Sequence, residues 1–357
     1  MHMAEALISP LVGGAMWAAT AGLTVYSARK LTEKTDDSMV PLMGVLGAFI
    51  FAAQMINFTI PGTGSSGHLG GGMILSVLLG PYAAFLTMAS VLTVQSLFFA
   101  DGGLLALGCN IFNLAFFPCF IAYPFIYRKI VGERPTRRRL VVGAVASSIL
   151  ALQMGAFGVV LETLFSGISE LPFTTFLLLM LSIHLAIGVV EGLVTAAVVT
   201  FVCKARPEIL EMAAVARPPA TPALKNVLAG LLVVTVVTGG ALSWFASANP
   251  DGLEWSMFHT SGKEALEVAD QGPYALAARL QEKTAFLPDY SFRKGEEKEV
   301  PAPSGEGNAA AEAGKGKAEE WPDVSAGKSL SGLLGAAMTL LLAALIGLGL
   351  RRSQRKR

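Results

Sequence analysis

Apolar residues run along this chain in blocks long enough to cross a bilayer, separated by short polar breaks. A hydrocarbon core about 30 Å thick takes roughly 20 residues of helix. Blocks of that order lie near residues 9–28, 40–57, 103–127, 140–165, 173–203, 224–246 and 329–350. The block 69–99 is longer and is split by Gly80-Pro81. Proline lacks an amide donor and restricts the residue before it, so this stretch reads as two helices turning back near Gly80. The pattern predicts an all-α, polytopic membrane protein of about nine transmembrane helices.

Charge orients these helices. Arg29, Lys30 and Lys34 follow the first block; Arg128, Lys129, Arg134 and the run Arg137-Arg138-Arg139 lie between the fifth and sixth helices; Lys204, Arg206 and Arg217 follow the seventh; the chain ends RRSQRKR. Short cytoplasmic loops collect Lys and Arg, and these four clusters share one side only if 69–99 crosses twice. Nine crossings then place the amino terminus outside the cell membrane and the carboxyl terminus in the cytoplasm.

The outer segment 247–328 divides in two. Its first part carries enough Leu, Phe, Tyr and Trp to fold against something, whereas 293–328 is rich in Ala, Gly, Glu, Lys and Pro and reads as a disordered tether. This break divides the chain into units 1–220 and 221–357. Within the tether, EAGKGK and SAGKS look like the end of a phosphate-binding loop, but no Ser or Thr follows Lys315 and Pro322 stands where the first Gly is needed. The chain is therefore not expected to be itself an ATPase. H-E-x-x-H is absent as well, so a zinc protease has no motif.

Mean hydropathy of +0.57 agrees with the block pattern. The formal charge of +1 decides nothing by itself; the apolar blocks imply the lipid bilayer as partner, and no nucleic acid is expected. Cys109, Cys119 and Cys203 follow no C-x-x-C spacing and read as packing residues.

The chain opens MHMAEALISP, without the basic start of a secretory signal peptide, so the first residues are expected to remain. A free α-amine, the next amide nitrogen and Nδ1 of a histidine at position 2 close two fused chelate rings on one metal ion. A deprotonated amide favours square-planar nickel(II) or copper(II). Met1 and His2 would supply these donors, and His68, at the end of the Gly- and Ser-rich loop TIPGTGSSGHLGGGM on the same outer face, a fourth. Ser65 and Ser66 are placed to hydrogen-bond the imidazole or the metal shell. Asn110 with Asn113, and Gln54 with Asn57, put amides on shared helix faces, either to orient ligands or to bond between helices. Coordination needs the imidazoles deprotonated, so acid near the histidine pKa of about 6.5 should weaken binding.

His184 and Glu191, seven residues apart, share a helix face and read either as a proton-relay pair or as a mutually satisfied packing contact. An integral-membrane enzyme or a metal sensor built on that pair is the alternative to metal capture at the amino terminus. Ala15, Ala18, Ala19 and Gly22 form a small-residue face for a partner helix or for packing inside the bundle. Glu5 is read as a source of negative potential near the site or as a cap on the first helix.

MHMAEALISPLVGGAMWAATAG, NFTIPGTGSSGHLGGGM, GCNIFN and HLAIGVVEGLVT together resemble the CbiM/NikM family, the substrate-binding membrane components of cobalt and nickel energy-coupling-factor (ECF) transporters, over residues 1 to about 205. PDGLEW at 250–255 and LPDY at 287–290 resemble the small accessory component of NikN/CbiN type, with helices 224–246 and 329–350 around an outer loop. The resemblance implies a seven-helix bundle that binds one ion through Met1, His2 and His68, fused to a two-helix accessory unit. It implies Ni2+, or Co2+, as transported substrate, with MHMAEAL closer to nickel-type members. It further implies a transmembrane coupling protein of NikQ/CbiQ type and cytoplasmic ATPases of NikO/CbiO type as partners, in a prokaryotic inner membrane.

Overall fold

The computed structural model describes residues 2–33, 39–132, 135–169, 171–205, 222–263, 266, 271–293 and 321–355. A short 3-10 turn, Glu5–Leu7, precedes α1, Pro10–Thr32. Pro10 at the first helical position and the Ser9 hydroxyl, which accepts from the Val12 amide, begin α1 where its orphan amides need partners. Glu5 lies upstream of this cap, so it does not serve α1.

Helix α2, Met39–Gln54, is buried almost throughout and leads into a hairpin, Phe58–Ile60 with Ser65–Gly67, paired antiparallel. The predicted break at Gly80-Pro81 is present. It separates α3, Gly72–Leu79, from α4, Pro81–Phe99, with Gly80 at φ 75°. Eight residues of α3 rise only about 12 Å, less than half the hydrocarbon thickness. Irregular backbone persists at membrane depth only when protein buries it, and 70–80 is buried at every residue.

Helix α5, Leu107–Val131, is π-wound from Phe112 to Tyr127, a stretch that contains Pro118 and Pro124. Helices α6, Arg137–Ser166, and α7, Phe173–Ala205, form the most extensive pair. Helices α8, Pro222–Gly240, and α11, Ala326–Arg355, belong to the second unit. Between them lie α9, Gly252–Ser261, and α10, Gly272–Thr284.

Among the described residues, five helices are long and apolar enough to cross a membrane, namely 81–99, 107–131, 137–166, 173–204 and 326–353, and 39–54 and 226–240 are shorter apolar helices. The architecture is that of a polytopic, helical membrane protein.

Glycine sets the packing inside the second unit and its joint to the first. A Cβ on Gly332 would lie 2.3 Å from the Gly239 carbonyl oxygen, so α8 and α11 touch backbone to backbone, and the Phe51 ring of α2 occupies the place of a side chain at Gly335. Residues 294–320 of the expected tether lie outside the described residues. Its last part is fixed: the Asp323 amide donates to the Trp244 carbonyl at 2.9 Å, Lys328 pairs with Asp323, and α11 starts at Ala326.

Candidate metal centre

Two imidazoles meet where the amino-terminal arm lies against the loop after α2. His2 and His68 stack with ring centroids 5.0 Å apart and planes inclined by 10°. The His2 side chain is 7% exposed and His68 9%. Met1, the third expected ligand, lies outside the described residues.

The amino-terminal arm is held by a ring of polar contacts. The Met3 amide donates to Asn110 Oδ1 at 2.8 Å, Asn110 Nδ2 donates to the Met3 carbonyl at 3.4 Å, and the Gly103 amide reaches the same carbonyl at 2.9 Å. Glu5, unexplained by sequence, accepts the Leu105 amide at 3.3 Å and so pins the arm to the loop before α5. Asn110 thus orients the strand that carries His2, whereas Asn113 bonds Glu162 of α6 at 2.7 Å. The two amides expected on one face serve different neighbours.

The His68 turn is held from below. Gln54 Nε2 donates to the Gly70 carbonyl at 2.8 Å and its own oxygen accepts from Gln95 at 2.9 Å. Glu191 Oε2 accepts the Gly70 amide at 2.7 Å. His184 turns elsewhere, with Nδ1 2.8 Å from the Met180 carbonyl. The expected His184–Glu191 pair therefore divides between two tasks, because the carboxyl is taken by the glycine turn.

Ser65 and Ser66 do not face the imidazoles. The Ser65 hydroxyl bonds the Ser66 carbonyl at 3.1 Å, and Ser66 bonds the second unit, its amide reaching the Pro250 carbonyl and its hydroxyl the Asn249 carbonyl, each at 2.8 Å. Asn57 contributes its carbonyl to the Ser247 amide at 2.8 Å. These contacts seat the PDG segment on the loop, where Asp251 begins α9 with a capping box to Glu254. His259, on the exposed face of α9, stacks on Trp255.

Further residues at the site were not singled out from sequence. Asp101 Oδ1 lies 3.2 Å from His2 Nδ1, and the Tyr290 hydroxyl of the LPDY turn donates to its other oxygen. Tyr274 donates to the Ile8 carbonyl at 2.9 Å, and Gln281 to the Ser96 and Gly102 carbonyls at 2.8 Å. Asp101 is the lone acid between two apolar blocks, in FADGG, and that isolation was its one mark in the sequence.

Burial pushes the His2 and His68 imidazoles down to about 3 and raises the Asp101 carboxyl. The His2–Asp101 contact is then a hydrogen bond between groups driven toward neutrality, more than an ion pair. The imidazoles do not titrate near 6.5, as their sequence alone suggested. They stay in the form that ligates metal well into acid. Asp251 is held below the usual carboxylate range although burial pushes it up, because positive charge at the amino terminus outweighs that burial.

Residues 2–209 match the family model described as CbiM, the cobalt uptake substrate-specific transmembrane region. The chain belongs to the CbiM family. Residues 225–352 match the model of the PDGLE domain. A fused nickel transport protein NikMN of Rhodobacter capsulatus is 31% identical over 82% of this chain and 88% of its own length. A putative fused nickel transport protein NikMN of Archaeoglobus fulgidus is 38% identical over 60% of this chain and 69% of its own. A cobalt transport protein CbiM of Sorangium cellulosum is 29% identical over 61% of this chain and 97% of its own. Among solved structures, a truncated transition metal transporter superposes with a TM-score of 0.51 at 29% identity, covering 57% of this chain and 99% of that one. A CbiM-family chain is a transporter component and not an enzyme, which sets aside the enzyme built on His184 and Glu191.

Proposed function

We propose that the chain is the substrate-binding component of an ECF-type importer for a divalent transition metal, with Ni2+ favoured over Co2+ as substrate. The observation that carries this reading is the stacked, buried, neutral pair His2 and His68. Met1 and His2 would give the amine, amide and Nδ1 donors, and His68 the fourth nitrogen. Taking an ion at His2 Nδ1 exchanges Asp101 for metal at that atom. The names borne by the relatives support nickel and cobalt as the substrate class.

Residues 1–220 act as the ion-binding unit and 221–357 as the accessory unit. The amino terminus faces out, the carboxyl terminus faces the cytoplasm, and the membrane is a prokaryotic inner membrane. ATP hydrolysis falls to separate subunits, a coupling protein of NikQ/CbiQ type and ATPases of NikO/CbiO type. The face of α1 carrying Ala15, Ala18, Ala19 and Gly22 is exposed on the bundle, as a surface for a partner helix would be.

Calorimetric titration of the full chain with NiCl2 and CoCl2 tests this, using a free, untagged amino terminus and comparing His2→Ala and a chain carrying an amino-terminal extension. Both changes should abolish tight binding. Tight binding that survives the extension would exclude the amine as a ligand.

A further inference from the structure

His184 has a second ring nitrogen that the contacts described so far leave unused. It is 1% exposed, and Nε2 has no hydrogen-bond partner among the described residues. A buried polar atom left unpaired needs an explanation. Its Nδ1 lies against the Met180 carbonyl at 2.8 Å, and a carbonyl only accepts, so Nδ1 carries the proton and Nε2 keeps the lone pair. His68 repeats this arrangement, with Nδ1 3.1 Å from the Leu69 carbonyl. A histidine that ligates metal characteristically donates its other N–H to a backbone carbonyl, which fixes the tautomer.

Both rings line one cavity of about 10 Å³, together with Gly67, Gly70 and Gly252. That volume admits one body the size of a water molecule. Leu114, Leu152 and Ile187 complete the wall, and the three glycines leave room where the His68 loop, α7 and the PDG segment converge. The Glu191 carboxyl, bonded to the Gly70 amide, sets an acidic group beside the same wall. His184 lies eleven residues into α7, about 16 Å of helix from Phe173, and a Cβ on Gly252 of the PDG segment would stand 3.4 Å from its Cε1.

We infer that His68 and His184 form a second, inner station for a divalent transition-metal ion, occupied as the ion leaves the outer chelate. The inference rests on the importer reading above. His68 belongs to both stations, so an ion moves inward by exchanging the Met1 and His2 nitrogens for the His184 imidazole without losing its hold on His68. Two neutral imidazoles suit nickel or cobalt, and the station has fewer protein nitrogens than the outer chelate. It therefore binds more weakly, as a transit site must.

The test is NiCl2 titration of the full, untagged chain in lipid nanodiscs. Wild type should show a tight class of sites and a class at least 100-fold weaker. His184→Asn retains an amide to bond the Met180 carbonyl but has no Nε2; it should lose the weak class and keep the tight one within about threefold. His2→Ala should lose the tight class and keep the weak one. Nickel X-ray absorption of His2→Ala, which needs no change at His184, should give the multiple-scattering pattern of two imidazoles. A weak class absent from wild type, unchanged in His184→Asn, or free of imidazole scattering overturns the station and leaves water alone as the cavity's occupant. Tight binding that survives His2→Ala counts against the outer chelate, while the His184→Asn result still judges the inner station.

Discussion

Replacing Asn110 by alanine tests whether the amino-terminal arm is presented or merely tethered. The two hydrogen bonds it would remove are unequal. The Met3 carbonyl keeps the Gly103 amide at 2.9 Å when Asn110 Nδ2 is gone, so that oxygen remains satisfied. The Met3 amide loses its 2.8 Å acceptor, and Met3 is 0% exposed. An orphaned buried donor costs about 1–3 kcal/mol. His2 is the next residue, so the cost falls on the conformation that holds the chelating imidazole. If the arm relieves it by leaving its place, affinity for the ion should fall about 5- to 150-fold, at about 1.4 kcal/mol per factor of ten. Nickel titration of wild type and Asn110→Ala at pH 7.5, with thermal unfolding in the same detergent, measures both effects. A lower unfolding midpoint with affinity unchanged within twofold would refute the reasoning, because Asn110 would then support the fold without presenting the ligand.

Three other outcomes are expected. Burial holds His2 and His68 at about 3 against about 6.5 unfolded; the unfolded chain therefore binds more protons in that window, and stability is full above 6.5 and declines as pH falls toward 3. Thermal scans from pH 7 to 4 should show this decline, and it should be shallower in His68→Asn. Glu191→Ala orphans the Gly70 amide at a cost of about 1–3 kcal/mol and should weaken nickel binding, while Glu191→Gln, which keeps an acceptor oxygen, should recover most of it in the same titration. Gly332→Ala drives a methyl into the Gly239 backbone and should destabilise the α8–α11 pair by about 1–3 kcal/mol, lowering the unfolding midpoint while nickel affinity stays within threefold.

The helices were legible because membrane blocks announce themselves by length and by the prolines and glycines at their ends. Gly80-Pro81 marked a break that the structure contains. Short elements were less legible. The hairpin 58–67 pairs Phe58–Ile60 with the small residues Ser65–Gly67, whose place depends on what covers them, and α3 starts only after the left-handed Gly71. At the site, His2 and His68 stood out as histidines flanking apolar blocks. Their partners did not. Ser66 bonds residues 183 and 184 positions away, Asn110 one 107 positions away, and Tyr290 one 189 positions away. No local spacing encodes such pairs.

Those distant contacts have a common logic. The second unit grips the first at Ser66, Asp101, Gly102 and Ile8. None of these is a proposed nitrogen donor, yet each lies near one along the chain or in space. Ser66 is two residues from His68, Asp101 bonds His2, Gly102 adjoins the glycine that bonds Met3, and Ile8 ends the arm. Had the accessory loop supplied donors of its own, an ion held by both units would have more bonds to break before moving inward. Asp101 is the point where the grip is most direct, because its two oxygens face Tyr290 on one side and His2 Nδ1 on the other. On the proposed chelate, an ion taken at Nδ1 would displace Asp101 and so alter its bond to Tyr290. Metal occupancy and the seating of the accessory loop are thereby linked through a single carboxyl group.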